Sequence, residues 1–242
     1  MADIVRSRWP WPSEQGPLPA LLIALTLLTG LVDGVSYLAL GHVFVANMTG
    51  NVVFLGFGLA GARGVSAVAS LVALGSLVVG SVAGGRIAAR CREHRGRHLR
   101  TATATAVPLL LVALTIAAVA GQPVPRGARD ATIVSLGLAM GIQNATARRL
   151  AVPDLTTTVL TLTLTGIGAD SRLAGGHGAH VVRRLIAVAT MLVGALISAM
   201  LVIHVDVVIP LAVAAGVAAL TTVVAHRLSG DNSDWTRPPE RS

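Results

Sequence analysis

The sequence predicts an all-α integral membrane protein: six transmembrane helices plus two short re-entrant or partial helices, with the two halves forming an inverted repeat. Three observations lead there. Only 12% of the 242 residues are charged and 53% are hydrophobic, against the roughly 25% charged of soluble domains. Uncharged stretches such as 66–85 and 101–120 reach the ~20 residues with which an α-helix crosses a ~30 Å hydrocarbon layer. The 19 basic residues are all arginine and cluster in the gaps between such stretches.

In chain order the apolar segments are 18–40, 43–61, 65–89, 101–120, 131–147, 155–169, 185–203 and 207–225. The first is longer than a signal-peptide core and lacks a small-residue cleavage site, so it is read as a retained span. Residues 18–226 form one transmembrane domain, flanked by tails at 1–17 and 227–242 that are polar or proline-rich and expected to be disordered. Trp9 and Trp11 suit the headgroup level, where indoles are favoured.

Arginine placement decides the topology, because cytoplasmic loops hold the excess of positive charge. Eight full spans with the amino terminus outside leave only 8 of 19 arginines cytoplasmic. If the segments at 43–61 and 155–169 instead enter and leave on one side, and both termini lie inside, only Arg63, Arg126 and Arg129 face outward. Length agrees: the uncharged runs 52–62 and 155–167 are too short for full spans.

A short internal repeat supports two halves, about 18–121 and 130–226. Thr26, Gly30 and Gly34 fall on Gly137, Gly141 and Ala145 at an offset of 111, small residues at every fourth position in both. Each copy is followed by a polar segment, Asn47-Met48-Thr49-Gly50-Asn51 in the first and a threonine run in the second. Three spans per half make the repeats inverted, the arrangement of many secondary transporters, whose substrate site lies where the halves meet. Chance likeness between Gly- and Ala-rich helices is the alternative.

Asp33 is the only acidic residue deep in a span. A carboxyl group there costs at least ~2.5 kcal/mol, so it needs a partner or a wet cavity and reads as functional; the bland alternative is a hydrogen bond made for packing. Asn47, Thr49 and Asn51 suit a helix start inside the membrane, either as caps or as caps that also touch a ligand at the exposed N–H groups. Gln143 and Asn144 stand where the first half has Val32 and Asp33, so only one half titrates. Thr158, Thr161 and Thr165 share one helix face and could line a polar path or bond back to their own helix. The alternation 160–165 also resembles a strand, excluded because an open strand in lipid leaves its backbone unpaired.

The net charge of +8 follows from topology, and no aromatic-studded basic region points to nucleic acid. Arg90 to Arg100 reads as a cytoplasmic loop able to touch anionic lipid of the bilayer. His94 and His98 within it are a poor metal pair, and the lone Cys91 excludes an internal disulfide. No hydrolase, ATPase or dinucleotide motif is present, so no cofactor, no metal and no enzymatic activity are expected.

Asp33 to Leu38, followed by Val43-Phe44-Val45-Ala46-Asn47-Met48-Thr49-Gly50-Asn51, resembles the signature of the YoaK-like bacterial membrane proteins. Gly141 to Asn144 with the later threonines resembles that family's second stretch, except that Leu162 follows Thr161 where glycine is expected. The likeness covers about 18–226 and implies a multi-pass protein of the bacterial inner membrane; the family, a domain of unknown function, supplies no substrate. The leading functional expectation is a secondary transporter or permease for a small solute. A non-transporting scaffold or regulatory subunit is the alternative, and an intramembrane enzyme, which lacks a second membrane carboxylate, comes third.

Overall fold

The computed structural model describes residues 11, 13–91, 94–121, 123–152, 160–170, 174–175, 181–229 and 234–236. These hold eight α-helices: α1 (Leu18–Ala39), α2 (Met48–Leu59), α3 (Ala67–Arg90), α4 (Arg95–Ala120), α5 (Arg126–Leu150), α6 (Leu160–Ala169), α7 (Val181–His204) and α8 (Val208–Leu228). Local chemistry sets several boundaries. The Ser66 hydroxyl accepts from the Ala69 N–H to start α3, and His94 Nδ1 accepts from the Arg97 N–H to start α4. Gly121, at φ 68°, stops α4, and Ala151, at φ 48°, stops α5. The alternating run at 160–165 is helical, within α6.

Six of these helices run 21 to 26 residues, or roughly 31 to 39 Å at 1.5 Å per residue. All except α5 are also apolar enough to cross a membrane by composition. Helix α5 carries Arg126, Arg129 and Asp130 at one end and Arg148 and Arg149 at the other, around the uncharged run 131–147. Its polar residues Thr132, Ser135, Gln143 and Thr146 are buried against α1, α3 and α4. The outer surface carries exposed Leu71, Val78, Val79, Val82, Leu192, Leu196, Ile203 and Leu220, a coat that suits lipid and not water.

Packing fixes the direction of each helix. The bundle's proximal end holds Leu18, Arg95, Leu150 and Ser229: Arg95 bonds the Leu150 carbonyl and the Gln15 side chain, and Gly96 lies against Ser229 and Trp235. The distal end holds a cleft lined by Leu38, Gly41, Pro123, Arg129, Val205 and Val207. Helix α3 runs parallel to α5, since Gly137 meets Ala73 and Ser76 while Gly84 meets Ile142 and Ala145. It therefore begins at the distal end, where α1 stops, and residues 40–66 leave and rejoin the bundle on one side. By the same reasoning α7 is parallel to α1, because Gly30 meets Met191 and Gly34 meets Ser198. The link between α5 and α7 thus also starts and ends on one side, the proximal one.

The two halves exchange these contacts. Helix α1 packs on α7 as α5 packs on α3, while α4 and α8 meet each other. A Cβ added at Gly30 would overlap the Met191 carbonyl oxygen, and one at Gly141 the Leu77 carbonyl oxygen; one at Gly194 would overlap that of Leu27, and one at Gly80 that of Leu138. Residues 27 and 30 lie 111 before 138 and 141, and residues 77 and 80 lie 114 before 191 and 194. The two glycine-lined interfaces are thus matched in their carbonyl contacts, at spacings consistent with an inverted repeat. Small residues let the backbones approach, which is how helices associate where lipid offers no hydrophobic drive.

Three expectations need correction. Arg90 to Arg100 is not a loop: α3 runs through Arg90 and α4 starts at Arg95. Buried Arg95 joins the helix because its guanidinium satisfies the end carbonyl of α5 at Leu150, 2.8 Å away. The flanks are also not free tails throughout, since Ser13–Gln15 and Asp234–Thr236 form helical turns that touch one another. Trp11 and Trp235 are buried in the protein core, so Trp11 does not sit among headgroups, and Trp9 lies outside the described residues.

Candidate functional site

Asp33 lies 15 residues beyond Leu18 and 6 before Ala39, roughly 22 Å and 9 Å along α1, in the distal half of the helix. Past Ala39 the chain turns through Gly41 (φ 92°) and His42 (φ 60°) and dips back into the protein. Its tip, Val45 to Asn47, meets the Asp33 side chain. Val45 N–H and Ala46 N–H donate to Asp33 Oδ1 at 2.9 and 2.8 Å, and Asn47 N–H donates to Oδ2 at 3.2 Å. The Asn47 side-chain amide also donates to Oδ2. All four bonds are accepted by the carboxyl oxygens, which offer about four lone-pair sites. Helix α2 starts at this depth with Met48 and returns to the distal end, where Gly58 abuts Ala67 of α3.

The polar tip residues divide their work. Asn47 stands at the N-cap of α2 but makes no side-chain capping bond; its amide goes to Asp33 and lies 4.0 Å from the Met191 sulfur on α7. Asn51, completely buried, faces the descending strand: its Oδ1 accepts from the Phe44 N–H at 2.9 Å and its Nδ2 donates to the Phe44 carbonyl. Gly50 leaves room for the Phe44 ring, which forms a three-ring cluster with Tyr37 and Phe54. Thr49 is exposed.

The second half reaches the same tip. Asn144 Nδ2 donates to the Ala46 carbonyl at 3.2 Å. Gln143, its neighbour, turns into the bundle and donates to the Leu25 carbonyl and the Thr29 hydroxyl at 3.1 and 2.9 Å. Beyond Gln143 a small cavity lies between α1, α4, α5 and α8, with Thr103 and Thr146 among its walls. The tip therefore sits between α1, α5 and α7, elements of both halves.

A family model described as a protein of unknown function, DUF1275, matches residues 21–224. The chain belongs to the DUF1275 family. The chain is also 31% identical over 150 residues to the UPF0700 transmembrane protein YoaK of Bacillus subtilis, a match covering 62% of this chain and 65% of that protein's length. No solved structure matches. With its apolar helices, this DUF1275 chain is a multi-pass membrane protein.

The structure brings together Asp33, Asn47, Asn51 and Asn144 around the tip, with Gln143 one step below. It does not place the threonines there. Thr161 and Thr165 are exposed on α6, and Thr158 lies outside the described residues. Sequence reasoning missed the backbone of 45–47, which supplies most of the donors to Asp33, and missed Phe44. One signal was available: all three phenylalanines and the single tyrosine fall between residues 37 and 57.

Proposed function

We propose that this protein is a secondary transporter, a permease for a small solute, in the inner (cell) membrane of a bacterium, with the proximal end and both termini cytoplasmic. One observation carries the reading: a re-entrant tip, ending in the start of a half-length helix, is held between inverted halves by a side chain from each, Asp33 and Asn144. Transporter sites of this type lie where half-helix termini meet at the interface of inverted repeats, and alternating access moves one half against the other. The glycine-lined contacts at Gly30 and Gly141 suit such sliding, since backbone meets backbone there without a side chain between. The orientation rests on arginine: among the described residues, every arginine but Arg63, Arg126 and Arg129 belongs to the proximal part of the bundle. Lipid would be the constant partner of this surface, anionic lipid at its arginine-rich end. No bond-making step is assigned, because the tip engages the carboxyl oxygens of Asp33 and, among the described residues, no nucleophile stands beside them.

A second reading, a non-transporting scaffold, is favoured by one specific fact: the four donors to Asp33 all come from this chain, so the polar groups satisfy one another. Liposomes separate the two. Protein-containing vesicles loaded with a bacterial metabolite extract should exchange at least one small solute with the medium faster than protein-free vesicles, identified by mass spectrometry of the vesicle contents. Identical contents in both, with and without a proton or sodium gradient, would leave the scaffold.

A further inference from the structure

We propose that the groove between α4 and α8 at the proximal end is a binding site for an anionic phospholipid, with Arg100 holding the phosphate. Arg100 and His226 face each other across the two helices, 2.8 Å apart between Nη1 and Nδ1. A guanidinium has donors only, so Nδ1 of His226 accepts, and the neutral ring keeps its hydrogen on Nε2. The bond holds the Arg100 side chain in place without neutralising it. No carboxylate pairs with Arg100 among the described residues.

Below this head the groove walls are Thr101, Ala104, Thr105, Thr222 and Val223. Two of the three threonine hydroxyls there are taken by backbone: Thr105 donates to the Thr101 carbonyl and Thr222 to the Ala218 carbonyl, both at 2.8 Å. They bond to their own helices and leave methyl groups on the outer face. A fixed cation above an apolar trough of methyls and small side chains is complementary to a phosphate above an acyl chain. The position fits too, since basic pockets between spanning helices at the cytoplasmic side take anionic headgroups. The proposal does not depend on transport.

Native mass spectrometry of the full-length protein, purified in neutral detergent, tests it in three arms: phosphatidylglycerol, phosphatidylcholine with the same acyl chains, and inorganic phosphate. One arginine near the surface favours the anionic lipid about fivefold, so phosphatidylglycerol should be retained about that much more than phosphatidylcholine. Arg100→Gln should bring the two lipids level, and Arg100→Lys should keep the preference. Ala104→Phe, which fills the trough without touching the arginine, should reduce retention of both lipids and serves if Arg100→Gln melts early. Equal retention of the two lipids by the unaltered protein would overturn the proposal. So would a preference that survives Arg100→Gln, or phosphate binding as firm as that of the lipid.

Discussion

Asp33 and Asn144, which occupy matching positions in the two halves, grip the same residue from opposite sides: Asp33 accepts the Ala46 N–H, and Asn144 donates to the Ala46 carbonyl. The acid takes the donor and the amide takes the acceptor. Each side chain is the type its backbone partner requires, and exchanging them would set like against like.

Asp33→Asn tests the acid's role. Its Oδ1 could still accept from Val45 and Ala46, but its NH2 would face the Asn47 N–H and side-chain amide, donor against donor. We expect a stability loss of about 1–3 kcal/mol, read as a lower melting temperature in detergent, with the fold retained. If transport is ion-coupled, gradient-driven uptake should fall far more than solute exchange. Equal gradient-driven uptake by folded wild type and variant would make Asp33 purely structural.

Asn51→Asp changes one atom yet removes the donor to the Phe44 carbonyl and buries a charge. The loss should again be about 1–3 kcal/mol or more, while Thr49→Ala, at an exposed position, should stay within about 0.5 kcal/mol. Thermal melting of the two variants side by side gives the comparison. Similar melting points would mean that the Asn51 clasp contributes nothing.

The glycine interfaces predict matched effects. Gly30→Ala and Gly141→Ala each force a methyl against a backbone carbonyl and should cost about 1–3 kcal/mol apiece. Gly75→Ala and Gly85→Ala, with open space at the added carbon, should be neutral or stabilising. A destabilisation confined to one of the first pair would break the equivalence of the halves.

Topology can be read from the native thiol. Cys91, the chain's only cysteine, caps α3 at the proximal end and is partly accessible, whereas Gly96 is packed under Ser229 and Trp235 and would report poorly. In intact cells a membrane-impermeant maleimide should leave Cys91 unlabelled until the membrane is opened. Labelling in intact cells would reverse the orientation.

Much of the fold was legible because its causes are local or periodic. Charge-free run length finds the spans, and arginine placement agrees with a chain that leaves and rejoins the bundle on one side at 40–66. The small-residue spacing of Gly30 and Gly141 correctly marks the helix interfaces. Asp33 was legible as a residue needing a partner, but its partners were not, since backbone N–H groups carry no sequence signature. The threonines show the opposite case. The spacing of Thr161 and Thr165 puts both on one face of α6, but spacing alone cannot say whether that face turns toward the bundle or away. The start of α4 was hidden because a buried arginine looks like loop until Leu150, 55 residues away in sequence, is brought beside it.

Trp235 occupies the space that two glycines leave, Gly16 beneath its ring and Gly96 beside it. The indole acts as a keystone where the turns Ser13–Gln15 and Asp234–Thr236 meet the start of α4. A protein shortened after Leu228 would lose it and leave a wet notch between the feet of α1 and α4, beside the buried Arg95 and its bond to Gln15. Water reaching that guanidinium would loosen its hold on Leu150 and so fray the end of α5. An affinity tag intended to leave the bundle undisturbed therefore belongs beyond residue 236, with every residue up to that point kept.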